Sequence, residues 1–88
     1  DLAVLLAVMS SYRNRPLPAD LIVFGEVGLS GELRPVPNGQ QRISEAVKHG
    51  FHKAIIPAAN KPKAVLKGLD VTAVNRLSQV LEKVAEGF

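Results

Sequence analysis

The stretch Leu21-Ile22-Val23-Phe24-Gly25-Glu26-Val27-Gly28-Leu29-Ser30-Gly31-Glu32-Leu33-Arg34-Pro35-Val36-Pro37 decides how the rest of the chain is read. Its first four residues form an apolar run rich in β-branched side chains, too short for a helix and suited to a buried strand. Gly28 to Glu32 supplies two glycines that tolerate positive φ, and Leu33 to Val36 resumes an extended pattern, so the two runs are predicted to pair as a hairpin. Pro35 and Pro37 each remove a ladder donor. They confine the second strand to an edge and keep it short.

Upstream, Leu2 to about Arg13 holds neither Gly nor Pro. Leu2, Val4, Leu5, Leu6, Val8 and Met9 make it apolar nearly all round, which predicts a helix covered on most sides. Asn14, Pro16 and Pro18 end it. Downstream, Ile43, Ala46 and Val47 fall at helical spacing between Gln40 and His49, and Gly50 supplies a C-terminal stop. Lys53-Ala54-Ile55-Ile56-Pro57 reads as a strand, Pro62 to Lys67 as a helical turn or two, and Asp70 to Val74 as a further strand. Leu77 to about Ala85 closes the chain as a helix with Leu77, Val80, Leu81 and Val84 on one face. Alternating strands and helices favour parallel pairing, so the expected class is α/β, with an α+β element in the antiparallel hairpin and parallel β-α-β units behind it.

The chain has 88 residues, 47% hydrophobic and 22% charged. It is too short for two cores and far from the composition of a disordered chain. The absence of Cys removes disulfides, thiol nucleophiles and Cys-based zinc sites, and suits a reducing cytoplasm. The longest apolar run, Leu2 to Met9, falls short of the ~18–20 residues that span a bilayer. Following Asp1 and no basic residue, that run is not expected to act as a secretory signal. An apolar helix that starts at once, without an initiator Met, is expected of a fragment of a longer protein.

The net charge of +3 is unevenly distributed. Arg34, Arg42, Lys48, Lys53, Lys61, Lys63 and Lys67 stand against the single acidic Glu45 between positions 34 and 67. Such a stretch is the electrostatic footprint of contact with a nucleic-acid backbone; the simpler alternative is a solvated surface. Only Phe51 falls inside it, so no aromatic platform for base stacking or sequence readout is expected. Other candidate chemistry is thin. His49 and His52 lack a second pair of metal ligands nearby. Asp20, Glu26 and Glu32 read as turn and strand-end charges, without a neighbouring nucleophile. Ser10 and Ser11 lie within a helix, where hydroxyls bond carbonyls one turn back. The glycines lack the Lys-Ser/Thr that a phosphate-binding P-loop needs.

The segment Phe24 to Pro37, with Gly25-Glu26, Leu29-x-Gly31 and Pro35, resembles the Lon-type protease domain. Arg15-Pro16-Leu17-Pro18-Ala19-Asp20 ahead of it, and Ala46-x-x-x-Gly50 followed by Ile55-Ile56-Pro57 behind it, match the same family in order and spacing. The resemblance implies a Lon protease-like (ribosomal S5 domain 2-like) fold, with residues 1–88 forming a single partial domain that lacks the N-terminal strands. Lon proteases use a Ser-Lys dyad, in which a desolvated lysine takes the serine proton. On the family pattern the lysine position falls at Gln40, whose amide is no base, and the nucleophile position falls about two residues before Asp1. Lys48 and Lys53 lie too far along the pattern to substitute.

Within the Lon-like set, Arg15 to Asp20, Val23 to Glu32 and Arg34 to Pro37 are most similar to domains that have lost protease chemistry and serve bacterial DNA-repair ATPases. That likeness implies a parent protein with a P-loop ATPase using ATP and Mg, and a zinc finger holding Zn. It also implies a hexameric ring, non-specific DNA contact, and a role in branch migration and strand exchange. No cofactor and no membrane contact are expected of this segment itself. The alternatives are an active Ser-Lys peptidase and the Lon-like domain of a magnesium-chelatase-related ATPase.

Overall fold

The computed structural model describes residues 1–14, 16–64 and 66–86, with Arg13 described through its backbone. Asp1 caps the first helix, α1 (Leu2–Arg13), by accepting the Val4 N–H at 2.9 Å. The helix stops at Asn14, whose left-handed φ of 55° turns the chain toward the prolines. β1 (Leu21–Val23) follows, then two short strands, β2 (Glu26–Val27) and β3 (Leu33–Arg34). α2 (Gly39–Lys48), β4 (Lys53–Pro57), a 3-10 turn at Ala58–Asn60, β5 (Asp70–Val74) and α3 (Leu77–Glu86) complete the order.

β1, β4 and β5 form one parallel sheet in the order β1-β4-β5, with Leu21 opposite Lys53 and Lys53 opposite Asp70. The two-residue period of the strands sorts their side chains into two cores. Leu21, Val23, Ile55 and Val74 meet Leu2 and Leu6 of α1 and Val80 of α3 on one face. Ile22, Phe24, Ala54 and Ile56 meet Ile43 of α2 and Leu66 and Leu69 on the other. β4 is buried from Ala54 to Pro57, as a central parallel strand covered on both faces must be.

Three expectations need correction. Leu21–Val23 does not form the hairpin. That hairpin is confined to β2 and β3, with Glu26 opposite Arg34 and Val27 opposite Leu33. Gly25, at φ 145°, breaks the run after Phe24 and lets β1 join the parallel sheet. α1 is covered on one face only: Leu2 and Leu6 are buried, whereas Val4 and Val8 are each 61% exposed and Tyr12 is 92% exposed. The described part of Pro62 to Lys67 is not helical; the helical turn comes earlier, at Ala58–Asn60, and Val65 lies outside the described residues. Pro62 and the sharp positive φ of Gly68 leave that segment irregular.

Candidate functional site

The C-terminal ends of the parallel strands gather the loops that could carry chemistry, as is general in open α/β sheets. Leu2 N–H donates to the Gly25 carbonyl at 3.0 Å and Phe24 N–H to the Ile55 carbonyl at 3.3 Å. These bonds bring the start of α1, the base of the hairpin and the middle of β4 together. The start of α2 joins them through Asn60, the buried polar side chain of the described residues. Asn60 Oδ1 accepts the Val36 N–H at 2.8 Å and its Nδ2 donates to the Val36 carbonyl at 3.1 Å. The Asn60 carbonyl accepts Gln40 Nε2 at 2.9 Å. Gly39 lies flat against this side chain: a Cβ there would sit 2.4 Å from Asn60 Nδ2.

Gln40, the residue expected to stand at the base position of the Lon pattern, is a hydrogen-bond donor to a backbone carbonyl. A carboxamide has no lone pair basic enough to take a hydroxyl proton. Lys48 lies eight residues further along α2, about 12 Å away along the helix axis, and its Nζ sits 3.9 Å from Glu45. Lys53 opens β4 at the other end of the sheet from Asn60.

The structure divides the basic residues. Arg42 and Lys48 lie on α2, while Lys61, Lys63 and Lys67 lie in the segment that packs Leu66 and Leu69 into the same core as Ile43. All five are exposed, and all belong to the elements covering one face of the sheet. Arg34 is separate, on β3, with its Nη2 3.0 Å from Glu32. Lys53 is also separate, half-buried in a small cleft with Thr72 and Lys83 on the α3 side. Arg42 stands with its Cζ 5.8 Å above the Phe24 ring, a cation–π contact that orients the guanidinium. It forms the rim of an open groove of about 500 Å³, floored by Ile22, Phe24 and Phe51.

Gly31 and Glu32 shape the hairpin. Gly31, at φ 80°, turns the hairpin; its N–H donates to the Gly28 carbonyl at 3.0 Å and its carbonyl accepts the Leu77 N–H at 2.8 Å. Glu32 accepts the Ser30 N–H at 3.1 Å and Arg34 Nη2 at 3.0 Å. Hydrogen bonds from its own backbone N–H, from Arg34 and from Ser30 hold its carboxyl below the ordinary glutamate value, outweighing the desolvation that would raise it. Glu26 is exposed opposite Arg34, and Pro35 marks the end of β3.

His49 and His52 point to different partners, Glu45 at 3.7 Å and Asp20 at 3.2 Å. No group of three or more His, Asp or Glu able to hold a metal occurs among the described residues. No helix among the described residues is long and apolar enough to cross a membrane.

Sequence reasoning missed Asn60, Gly39 and Arg76. Arg76 Nη2 donates to the Ser30 carbonyl at 2.6 Å and ties the hairpin tip to the start of α3. An asparagine after a strand-ending proline reads as an ordinary turn residue, because its partners at Val36 and Gln40 lie 24 and 20 positions away. The one local signal was Asn38-Gly39, a pair that tolerates a left-handed backbone; Asn38 has φ 60°.

A family model described as "Subunit ChlI of Mg-chelatase" matches residues 1–60. The chain is 64% identical over 86 residues to DNA repair protein RadA of Pseudomonas aeruginosa, covering 98% of this chain and 19% of that protein. It is 64% identical over 81 residues to DNA repair protein RadA of Escherichia coli K12, covering 92% of this chain and 18% of the relative. The corresponding protein of Bacillus subtilis is 45% identical over 87 residues, again with 92% and 18% covered. The chain thus spans about a fifth of the length of the curated relatives it matches.

Proposed function

The chain belongs to the family described as subunit ChlI of Mg-chelatase and is similar to part of DNA repair protein RadA; from that premise we propose that it is a Lon-like, non-proteolytic scaffold in a RadA-type, ATP-dependent DNA repair and recombination protein. In that role it contacts DNA phosphates without regard to base sequence and helps to assemble a ring, hexameric in the parent. The work of the parent is branch migration and strand exchange in the cytoplasm.

The observation that carries the reading is the gathering of Arg42, Lys48, Lys61, Lys63 and Lys67 on one face of the sheet, opposite the face that α1 and α3 cover. Cations on one side of a small domain meet a phosphate backbone with little like-charge cost elsewhere. Sequence-independent contact suits a face that offers no aromatic platform: Phe24 lies beneath Arg42 and Phe51 is half-buried in the groove. Ring assembly draws support from the outward side of α1, where Val4, Val8 and Tyr12 form an exposed stripe one helical turn apart. Gln40 supports the loss of peptidase chemistry, because dyad members act as a unit and removing one costs orders of magnitude in rate.

The ATP, Mg and Zn that the resemblance implies are proposed for the parent protein and not for this segment. It has no Cys, Gly28 and Gly31 turn a hairpin, and no group of three or more His, Asp or Glu able to hold a metal occurs among the described residues. A second reading, the Lon-like portion of a magnesium-chelatase-type ATPase, is favoured by the family match over residues 1–60. The ATPase attached to the chain discriminates the two.

Fluorescence anisotropy with labelled duplexes of unrelated sequence tests the DNA contact on the intact protein. Lys61→Glu combined with Lys63→Glu is expected to weaken binding to every duplex alike. Unchanged binding, or loss confined to one sequence, contradicts the reading.

A further inference from the structure

The basic segment that begins at Lys61 has two anchors. Its far end is held by Leu66 and Leu69, which pack against Phe24, Ile43, Ala54 and Ile56. Its near end is held by Asn60, which directs its side chain to both polar groups of Val36 and its carbonyl to Gln40. The described residues between the anchors form neither helix nor strand, and Lys61, Lys63 and Lys67 project from them into solvent. A flexible run of lysines must be ordered when it meets a phosphate array, at a cost in affinity for each immobilised side chain and loop segment. A run fixed at both ends has met the backbone part of that cost during folding.

The chemistry at Gln40 suits the near anchor. The acceptor is a backbone carbonyl, so a donor is needed, and the amide Nε2 supplies one without adding a charge. A carboxylate would set acceptor against acceptor, and an aliphatic side chain would leave the carbonyl without this partner. Gly39 allows the approach, since any Cβ at that position would collide with Asn60. Gln40 is exposed and belongs to neither core cluster, so its hydrogen bond to Asn60 bears on the loop more than on the fold.

We propose that Gln40 and Asn60 form a strut that fixes the near end of the Lys61–Lys67 segment against the start of α2, making Gln40 a positioning residue for phosphate contact. The inference rests on the reading of the basic face as a DNA surface and identifies where its rigidity originates. The position that a Lon-type peptidase gives to its base is put to mechanical use here.

The test is hydrogen–deuterium exchange of the intact protein without DNA, paired with anisotropy measurements of duplex binding. In Gln40→Leu and Gln40→Glu, the hydrogen-bonded amides at this anchor, Val36 and Lys61, are expected to exchange about threefold to tenfold faster, the effect of losing one net hydrogen bond. Exchange in β4 and β5 should stay unchanged, and duplex affinity should fall several-fold. Gln40→Lys, whose Nζ can donate to the same carbonyl, is expected to keep those amides protected. Unchanged exchange in Gln40→Leu overturns the strut, and faster exchange with unchanged affinity overturns the positioning role. If Lys61→Glu with Lys63→Glu leaves DNA binding intact, the DNA reading itself fails, whereas exchange measured without DNA reports on the strut alone.

Discussion

Replacing Gly39 with Ala probes the contact that holds the start of α2 against the loop after β4. An ideal Cβ at position 39 lies 2.4 Å from Asn60 Nδ2, 2.8 Å from its Cγ and 3.2 Å from its Cβ. Asn60 cannot retreat freely, because it is 8% exposed and bonded to Val36 at both polar ends. Displacing it forfeits two hydrogen bonds worth about 0.5–1.5 kcal/mol each. Better helix propensity returns at most about 1 kcal/mol, and less in a first turn. Gly39→Ala is therefore expected to destabilise by about 1–2 kcal/mol, read as a lower urea midpoint at unchanged m-value. In an Asn60→Ala background the contacts with Nδ2 and Cγ are gone and only the 3.2 Å approach to Cβ remains, so the same substitution should cost much less. A stabilising Gly39→Ala with Asn60 in place, or strict additivity of the two changes, would refute the reasoning.

Other expectations follow from burial and charge. Leu6→Ala, at a side chain 1% exposed, should cost about 2–5 kcal/mol in denaturant unfolding. Val8→Ala on the outward side of the same helix, 61% exposed, should stay within about 0.5 kcal/mol; equal costs would mean that α1 is covered on both sides. The carboxyl of Glu32 is held low in the folded state, so its support of the hairpin is complete above the unfolded glutamate pKa and is lost as pH falls through the lower folded value. An NMR titration of the Gly28 to Gly31 amides should show a midpoint below the ordinary glutamate range, absent in Glu32→Gln; a midpoint at or above that range contradicts the hydrogen-bond arrangement. Casein incubated with the intact protein should remain uncleaved, and cleavage abolished by substituting Gln40 would reverse the assignment of this frame as non-catalytic.

Much of the fold is legible because it rests on local periodicity. β4 and β5 emerge from the sequence with the bounds the structure gives them, since each is a short apolar run between Gly or Pro breaks. α2 and α3 follow from apolar spacing and a glycine or polar stop. What the sequence conceals is pairing at a distance. The run Leu21–Val23 has the character of a strand, but nothing local tells it to join β4 rather than β3. The outward stripe of α1 has the composition of a core helix, and only the packing shows that Val4 and Val8 are exposed among the described residues.

The candidate site divides along the same line. The seven basic residues between positions 34 and 67 are visible as a charge bias, yet only the chain's path between strands reveals that five share a face while Arg34 and Lys53 do not. Gln40 is visible through a family pattern. Its partner Asn60 is not, because a buried amide and a solvated turn amide have the same letter, and the bonds that distinguish them reach across 20 to 24 positions.

The salt dependence of duplex affinity tests the central claim most directly. For the intact protein, log K against log salt should fall steeply, and Lys61→Ala with Lys63→Ala should make the slope shallower by about 1 for each phosphate contact removed. A slope identical in the variant and the unaltered protein would contradict the account of this basic face as a surface for the DNA backbone.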